Sequence, residues 1–122
     1  MAWFYVFLGG GLGSMARYGI NRLLSPTDLA QGGIPWFTLV ANVLACVFLG
    51  VGLAYGSREL LPRPLQLFLL TGFCGGFSTF STFAAELLIL GEEGHIGVAL
   101  GYLGLSLVGG IGALYLALLV AR

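Results

Sequence analysis

A run of phenylalanines and hydroxyl side chains lies in the middle of an uncharged stretch of this chain. From Phe77 to Phe83 the order is Phe-Ser-Thr-Phe-Ser-Thr-Phe, a period of three on a helix with about 3.6 residues per turn. Phe80 and Phe83 therefore lie near one helix face, beside hydroxyl rows formed by Ser78, Thr79, Ser81 and Thr82. Aromatic ring edges carry partial positive charge, and hydroxyls donate hydrogen bonds. Such an uncharged surface suits a small, poorly polarisable anion that has lost part of its water.

The same residues also have a purely structural interpretation. Phenylalanines can pack against neighbouring helices, and hydroxyls in membrane helices commonly bond to carbonyls one turn earlier. A functional role is favoured by the Gly75-Gly76 pair before the run, where we predict that the helix breaks. Backbone groups left unpaired in hydrocarbon are costly, so a break there needs protein or a wet cavity around it. The freed carbonyls of Gly75 and Ser78 would be hard oxygen ligands for a structural Na⁺.

Other polar residues in apolar stretches could extend this surface. Asn42 lies inside a second apolar stretch, where its amide must pair with a neighbouring helix, the commoner case, or with a permeant ion. Tyr102 and Ser106 are four residues apart and so share a helix face. Arg17 is either an anion attractor at a pore mouth or an anchor at the membrane interface, and the residues alone favour the anchor.

The remaining chemically active residues are given no site. Glu86 ends an uncharged stretch and is interpreted as an interfacial cap and not as a proton carrier. His95 has no second ligand at metal-binding spacing, and Cys46 and Cys74 are interpreted as free, small hydrophobic side chains. The glycines of residues 9–13 lack the Gly-Lys-Ser/Thr of a phosphate loop. Neither a nucleotide nor a nucleic acid is expected as a partner.

The elements that must position these residues are predicted to be membrane helices. Hydrophobic residues make up 58% of the 122 residues and charged residues 8%, whereas a soluble domain has about 25% charged residues. A helix needs about 20 apolar residues to cross roughly 30 Å of hydrocarbon. We therefore predict an all-α integral membrane protein with one membrane domain over residues 1–122 and four transmembrane helices at about 2–24, 36–55, 65–90 and 96–121.

The arginines predict little preference for one orientation. Four spans put both termini and the 56–64 loop on one side with Arg58, Arg63 and Arg122, against Arg22 and Arg17 on the other. Orientation follows the Lys/Arg bias of short loops, and this bias is weak. Opposite copies could pair around a two-fold axis in the membrane plane. The alternative is a single orientation set by Arg58 and Arg63.

Glycines spaced four residues apart predict close helix contacts. Small residues let helix backbones approach each other in a membrane. The 21 glycines include the pairs Gly9/Gly13, Gly52/Gly56, Gly72/Gly76 and Gly97/Gly101.

Three motifs, in this order, resemble those of the bacterial fluoride channel family called Fluc or CrcB, and the likeness covers essentially the whole chain. They are Gly9-Gly10 through Gly13 to Arg17-Tyr18, Thr38-Leu39-Val40-Ala41-Asn42 through Gly50, and the specific block from Gly75 to Phe83. The chain departs from the family pattern at packing positions, namely Ser14, Phe37 and Ala45-Cys46.

The resemblance implies a channel of the bacterial inner membrane that exports fluoride passively, without ATP or proton coupling. It implies an antiparallel, dual-topology homodimer with two pores and a central Na⁺ held by the Gly75 and Ser78 carbonyls. It also implies roles for particular side chains: an amide donor (Asn42), an aromatic box (Phe80, Phe83), a polar track (Ser81, Thr82, Tyr102, Ser106) and a vestibule residue (Arg17).

Two other functions stay open. A small four-helix, dual-topology multidrug exporter is coupled to protons through a carboxylate in its first span, and the first span here has none. A non-transporting membrane subunit would use its glycines and phenylalanines only to pack against a partner. An intramembrane enzyme is disfavoured, because no serine or cysteine is paired with histidine or aspartate inside the predicted spans. No catalytic residue is predicted.

Overall fold

A computed structural model describes residues 1–24 and 26–122, and the described chain contains helices and no strands. Helix α1 is Ala2–Leu23, and a short 3₁₀ helix, Leu29–Gln31, follows it. Helix α2 is Trp36–Ser57. Helix α3 runs continuously through Arg63–Gln66, a π-helical middle segment Leu67–Cys74, and Gly75–Phe77; α4 is Phe80–Glu92 and α5 is Ile96–Ala121. The predicted all-helical class is confirmed.

Three stretches are long and apolar enough to cross a membrane. They are Trp36–Ser57, Arg63–Glu92, which joins α3 and α4, and Ile96–Ala121. Helix α1, which carries Arg17 and Arg22 among its glycines, is not one of them within the described chain. The prediction that α1 also spans the membrane stays a prediction.

The third helix breaks at Ser78 and Thr79, so the predicted break at Gly75-Gly76 is wrong. Gly75 keeps helical backbone angles (φ −63°, ψ −38°). Ser78 (φ −80°, ψ 159°) and Thr79 (φ −151°, ψ 119°) are extended. Hydroxyl side chains bond to the nearby backbone in non-helical conformations: Ser78 Oγ donates to the Cys74 carbonyl at 2.9 Å, and Thr79 Oγ1 accepts from the Thr82 N–H at 3.3 Å. Thr79 is thereby the N-cap of α4.

The glycines near the break serve close contact between α1 and α3. A Cβ on Gly9 or Gly13 would overlap a carbonyl oxygen of α3, and a Cβ on Gly76 would overlap the Gly10 carbonyl. A Cβ on Gly101, by contrast, would meet nothing within 4 Å. The two helix backbones therefore touch along a seam where no other residue fits.

Helix α2 stands between two buried clusters and contacts both. One cluster joins α2 to α4 and α5, and its buried members are Leu39, Phe83, Leu90, Ala99 and Tyr102. The other joins α2 to α3 and α1, and its buried members are Ala41, Ala45 and Phe77. Side chains on α2 can therefore reach both sides of the break between α3 and α4.

We predict that Gly13→Ala destabilises the protein by about 1–3 kcal/mol, because overpacking a close helix contact forces the backbones apart. Gly11→Ala is the matched control on the same helix, since a Cβ there has nothing within 4 Å. That variant should be neutral or stabilising by up to about 1 kcal/mol, because alanine is the better helix former. Thermal unfolding of both variants in detergent measures the difference. Equal stability of the two variants would contradict the contact.

We predict that Glu59→Gly stabilises the protein by about 1 kcal/mol, because a non-glycine residue with left-handed backbone angles is strained. Glu59 has φ 56° at the end of α2, where Leu60 N–H bonds to the Tyr55 carbonyl at 3.0 Å. Gly94 occupies the same position after α4 with φ 82°, so Gly94→Ala should destabilise by a similar amount. Thermal unfolding in detergent checks both signs, and a loss of stability in Glu59→Gly would contradict the strain.

Candidate ion-binding groove at the helix break

Asn42 on α2 pairs the backbone exposed by the break. Its Nδ2 donates to the Thr79 carbonyl at 3.1 Å, and its Oδ1 accepts from the Thr79 N–H at 2.8 Å. The residue that interrupts the helix therefore keeps both of its backbone hydrogen bonds. Of the two roles that the sequence left open for Asn42, the structure shows the pairing with a helix, and one Nδ2 hydrogen remains for another acceptor.

Two carbonyls beside the break lose their helical donors. The Thr79 N–H would serve the Gly75 carbonyl in a continuous helix, but it bonds to Asn42. The Thr82 N–H would serve the Ser78 carbonyl, but it bonds to Thr79 Oγ1. Within residues 1–24 and 26–122, neither carbonyl accepts a hydrogen bond from outside its own helix. These are the two oxygens that the sequence predicted to be free.

Arg17 serves a third carbonyl at the break. Its Nε donates to the Gly76 carbonyl at 3.3 Å, and Ser14 Oγ lies 3.5 Å from the same oxygen. The helical donor for Gly76 would be the N–H of Phe80, which lies beyond the break. The Arg17 guanidinium is thus directed at the break from the α1 side. Its predicted place at a vestibule stays a prediction.

One groove of about 400 Å³ brings together six of the predicted site residues: Asn42, Gly75, Ser78, Phe80, Phe83 and Ser106. The ring centroids of Phe80 and Phe83 are 6.1 Å apart. Phe83 is 7% exposed and Phe80 is 78% exposed. One of the two aromatic rings that line the groove is therefore buried, and the other lies at the protein surface. Ser106 Oγ is a buried oxygen for which the described chain offers no hydrogen-bond partner. The residues that line the groove therefore include a hydroxyl without a partner, an amide with one hydrogen unused and two aromatic rings.

Besides Arg17, three predicted residues lie outside the groove. Ser81 is exposed and Thr82 is half-buried, and neither lines the groove. Tyr102 is fully buried, with its ring centroid 5.1 Å from that of Phe83 in an edge arrangement. Its hydroxyl donates to Glu86 Oε1 at 3.0 Å. In this arrangement Tyr102 positions the Phe83 ring and does not present its hydrogen to the groove.

Glu86 caps neither end of α4, and its predicted place at the membrane interface stays a prediction. It lies in the interior of α4, where Oε2 accepts from Thr38 Oγ1 at 3.0 Å and Oε1 accepts from Tyr102 Oη. A carboxylate among apolar helices needs such donors to each oxygen. Thr38, which is 1% exposed, did not figure among the predicted site residues. Its signal was its spacing, because Thr38 and Asn42 are four residues apart on one face of α2.

Comparison with known proteins now identifies the family. A model of the family described as "CrcB-like protein, Camphor Resistance (CrcB)" matches residues 4–118. The chain belongs to the CrcB family. The match extends from α1 into α5, so the break, the groove and Glu86 all lie within the CrcB region.

Curated CrcB relatives carry the name "Fluoride-specific ion channel FluC". One, from Chlorobium phaeobacteroides, is 43% identical over 115 residues, which are 93% of this chain and 87% of the relative. Another, from Enterobacter sp. strain 638, is 42% identical over 105 residues, covering 85% of this chain and 80% of the relative. A third, from Beijerinckia indica, is 38% identical over 120 residues, covering 96% and 93%.

We predict that Asn42→Ala destabilises this CrcB protein by about 2 kcal/mol or more, because it leaves the N–H and the carbonyl of Thr79 unpaired. Asn21→Ala is the control, since Asn21 is exposed on α1, and it should change stability by less than about 0.5 kcal/mol. Thermal unfolding in detergent measures both changes. Hydrogen exchange at the Thr79 amide should also accelerate in Asn42→Ala; unchanged exchange would show that Asn42 does not hold the break.

Proposed function

We propose that the chain is a fluoride-selective anion channel. The observation that carries the proposal is the groove at the helix break, where an amide, a free hydroxyl and two phenylalanines converge without a formal charge. The names of the CrcB relatives support the same function. Short-range donors favour the smaller halide, because fluoride approaches them more closely than chloride does.

Passive flow through this channel exports fluoride from the cell. Neutral hydrogen fluoride enters from acidic surroundings and ionises inside. A negative interior then drives the anion out by about 2.3 kcal/mol per charge per 100 mV. No ATP or proton coupling is required, and the bacterial inner membrane is the place where this flow protects the cell.

The donors that an anion meets follow from the hydrogen bonds already made. Thr38 and Tyr102 both direct their hydroxyl hydrogens to Glu86. The hydrogens still available in the groove are those of Ser106 and the second Nδ2 hydrogen of Asn42. We assign Glu86 a positioning role, because it fixes Tyr102 and, through it, the Phe83 ring. Ser81 and Thr82 do not line this groove, so in this proposal they can meet the fluoride ion only in a part of its route outside the groove.

The functional unit is proposed to be an antiparallel homodimer. The Gly75 and Ser78 carbonyls lack helical hydrogen-bond donors, and the neighbouring Phe80 side chain is exposed. If this face met lipid, the unpaired carbonyls would be costly, because hydrocarbon offers no hydrogen bonds. Covering this face with a second copy removes the cost. The charges support opposite orientations of the two copies, because the loops and termini at one end of the helix bundle are net basic and the loops at the other end are net acidic. The basic end carries Arg58, Glu59, Arg63 and Arg122, and the acidic end carries Arg17, Arg22, Asp28, Glu92 and Glu93.

A structural Na⁺ at the centre of this dimer fits the same carbonyls. Gly75 and Ser78 offer hard oxygen ligands freed from helical hydrogen bonds, which is the donor set that broken membrane helices present to Na⁺. When bound, the ion would supply positive charge to the carbonyl dipoles and hold two copies together. No other residue of the chain is assigned to it.

Two alternatives make different predictions. Glu86 is a carboxylate inside a membrane-spanning stretch, so a proton-coupled carrier is the second candidate, and its transport would follow an imposed pH gradient. A non-transporting subunit would show no flux at all.

The test is anion efflux from liposomes that hold the purified protein. The liposomes are loaded with potassium fluoride or potassium chloride, and a potassium ionophore starts the flow. The proposal expects fluoride loss with chloride retained, at a rate set by the membrane potential and unchanged by a pH gradient at fixed potential. Absence of fluoride loss from folded protein would overturn the proposal, and a rate that follows the pH gradient would favour the carrier.

We predict that Phe80→Ala lowers fluoride efflux about tenfold, because an aromatic contact contributes about 1–1.5 kcal/mol and each 1.4 kcal/mol changes a rate tenfold. Phe7→Ala is the matched control: Phe7 is 75% exposed on α1, against 78% for Phe80. That variant should keep its rate. Equal effects of the two variants would show that the phenylalanine at the groove only faces lipid.

We predict that exchange of Na⁺ for a large organic cation lowers the thermal stability of the dimer, because a ligand bound only to the native state stabilises it by mass action. The melting temperature is measured across a series of Na⁺ concentrations at constant ionic strength. A melting temperature independent of Na⁺ would remove the ion from the proposal without touching the fluoride pathway.

A further inference from the structure

The chain contains two cysteines, and both line the groove at the break. Cys46 is half-buried on α2, and Cys74 is buried at the end of the π-helical segment of α3. The sequence predicts that both are free, small hydrophobic side chains. Neither thiol takes part in the hydrogen bonds that hold the break. Thiolates are metal ligands, so two cysteines on one groove raise the question of whether they can bind one ion together.

The register between α2 and the helix that follows places the two cysteines at a similar level along neighbouring helices. A short loop joins these helices, so they run antiparallel. Gly52 lies against the Leu70 side chain, and Asn42 bonds to Thr79. These two contacts bracket Cys46 on one helix and Cys74 on the other. Cys46 follows Asn42 by four residues and so lies one turn further along the same side of α2, and Cys74 is the last residue of the π-helical segment that contains Leu70.

The surroundings of the thiols restrict which ligand they can take. The described chain holds no group of three or more histidine, cysteine or acidic side chains able to bind a metal, so a tetrahedral metal site is not built here. Two thiols suit a soft ion that accepts two ligands in a line. With a divalent ion the reaction is M²⁺ + 2 RSH → M(SR)₂ + 2 H⁺. It forms two metal–sulfur bonds, releases two protons and changes no oxidation state. The product is neutral, which matters because a buried charge without a partner is costly.

We propose that Cys46 and Cys74 form a two-thiolate site for a soft, linearly coordinated divalent metal ion, with Hg²⁺ as the probe. The site lies on the groove that also holds Asn42 and Ser106. A bound ion therefore obstructs the groove, and this consequence for transport rests on the proposed fluoride pathway. Metal binding itself does not.

The binding test uses the reduced, full-length protein and Hg²⁺ alone. X-ray absorption at the mercury edge counts the sulfur neighbours of the bound ion, and pH-stat titration counts the protons released. The expected result is one Hg²⁺ per chain with two sulfur neighbours and two protons released. One sulfur neighbour per ion in the native protein would overturn the site.

Single and double variants separate a shared ion from two independent thiols. Cys46→Ser and Cys74→Ser should each bind Hg²⁺ through one sulfur. Each single variant should then lose the ion to a small competing thiol, at a thiol concentration that does not remove Hg²⁺ from the native protein. The double variant C46S/C74S should bind none. If the single variants hold the ion as tightly as the native protein does, the thiols act independently and the proposal fails. Mass spectrometry under denaturing, thiol-free conditions should find the ion on a single chain, and mercury-linked pairs of chains would also overturn it.

The transport test compares each protein with its own metal-free rate. Hg²⁺ should abolish most of the fluoride efflux through the native protein and leave the efflux of C46S/C74S at its metal-free value. Undiminished efflux in a native protein that holds one two-sulfur Hg²⁺ per chain would overturn the obstruction and leave the metal site. If the native protein shows no efflux before metal is added, the fluoride proposal fails while the sulfur count still decides the metal site.

Discussion

Where a helix is interrupted inside an apolar bundle, the peptide groups that lose their helical hydrogen bonds need other partners, because hydrocarbon supplies none. Here the partner is a single asparagine. Asn42 gives Thr79 both an acceptor and a donor, and an amide is the side chain that can do both at once. Aspartate could only accept, and serine is too short to reach two groups on another helix. The direction of α4, the position of the aromatic rings and the freedom of the neighbouring carbonyls all follow from this contact.

The break is supported from its other side by contacts of a different kind. Glycines on α1 and α3 allow the two backbones to touch, and that closeness brings Arg17 to the Gly76 carbonyl. Two helices thus hold one interruption: α2 through an amide and α1 through a guanidinium. The Gly75 and Ser78 carbonyls remain outside both sets of contacts, and both residues line the groove. Irregular backbone at membrane depth is tolerated only where protein or a water-filled cavity surrounds it, and here the extended residues lie between α3 and α4.

Glu86 shows how a charge is kept within an apolar bundle. Each carboxylate oxygen accepts one hydroxyl, from Thr38 on α2 and from Tyr102 on α5. Three helices are tied together by these two bonds, and the Tyr102 ring is held edge-on against Phe83. The aromatic wall of the groove is therefore positioned by a polar cluster that lies behind it. Membership in the CrcB family, whose relatives are named fluoride channels, gives this arrangement its context.

The sequence by itself determined the helical class, because apolar run length is a local property. Residue chemistry also singled out Asn42, Phe80 and Phe83, which line the groove, but it placed Tyr102 on the same polar track, and Tyr102 lies behind the groove. The sequence also predicted free carbonyls at Gly75 and Ser78, but it did so from a break at Gly75-Gly76 and not at Ser78 and Thr79. The place of the break was decided by tertiary structure. Glycine permits a break, but Gly75 and Gly76 stay helical and Gly76 packs against Gly10 of α1, while Asn42 supplies both backbone partners of Thr79. The roles of Glu86 and Tyr102 were likewise decided by contacts between residues 16 to 48 positions apart along the chain. Such pairings depend on how helices pack, and single-helix spacing carries no information about them.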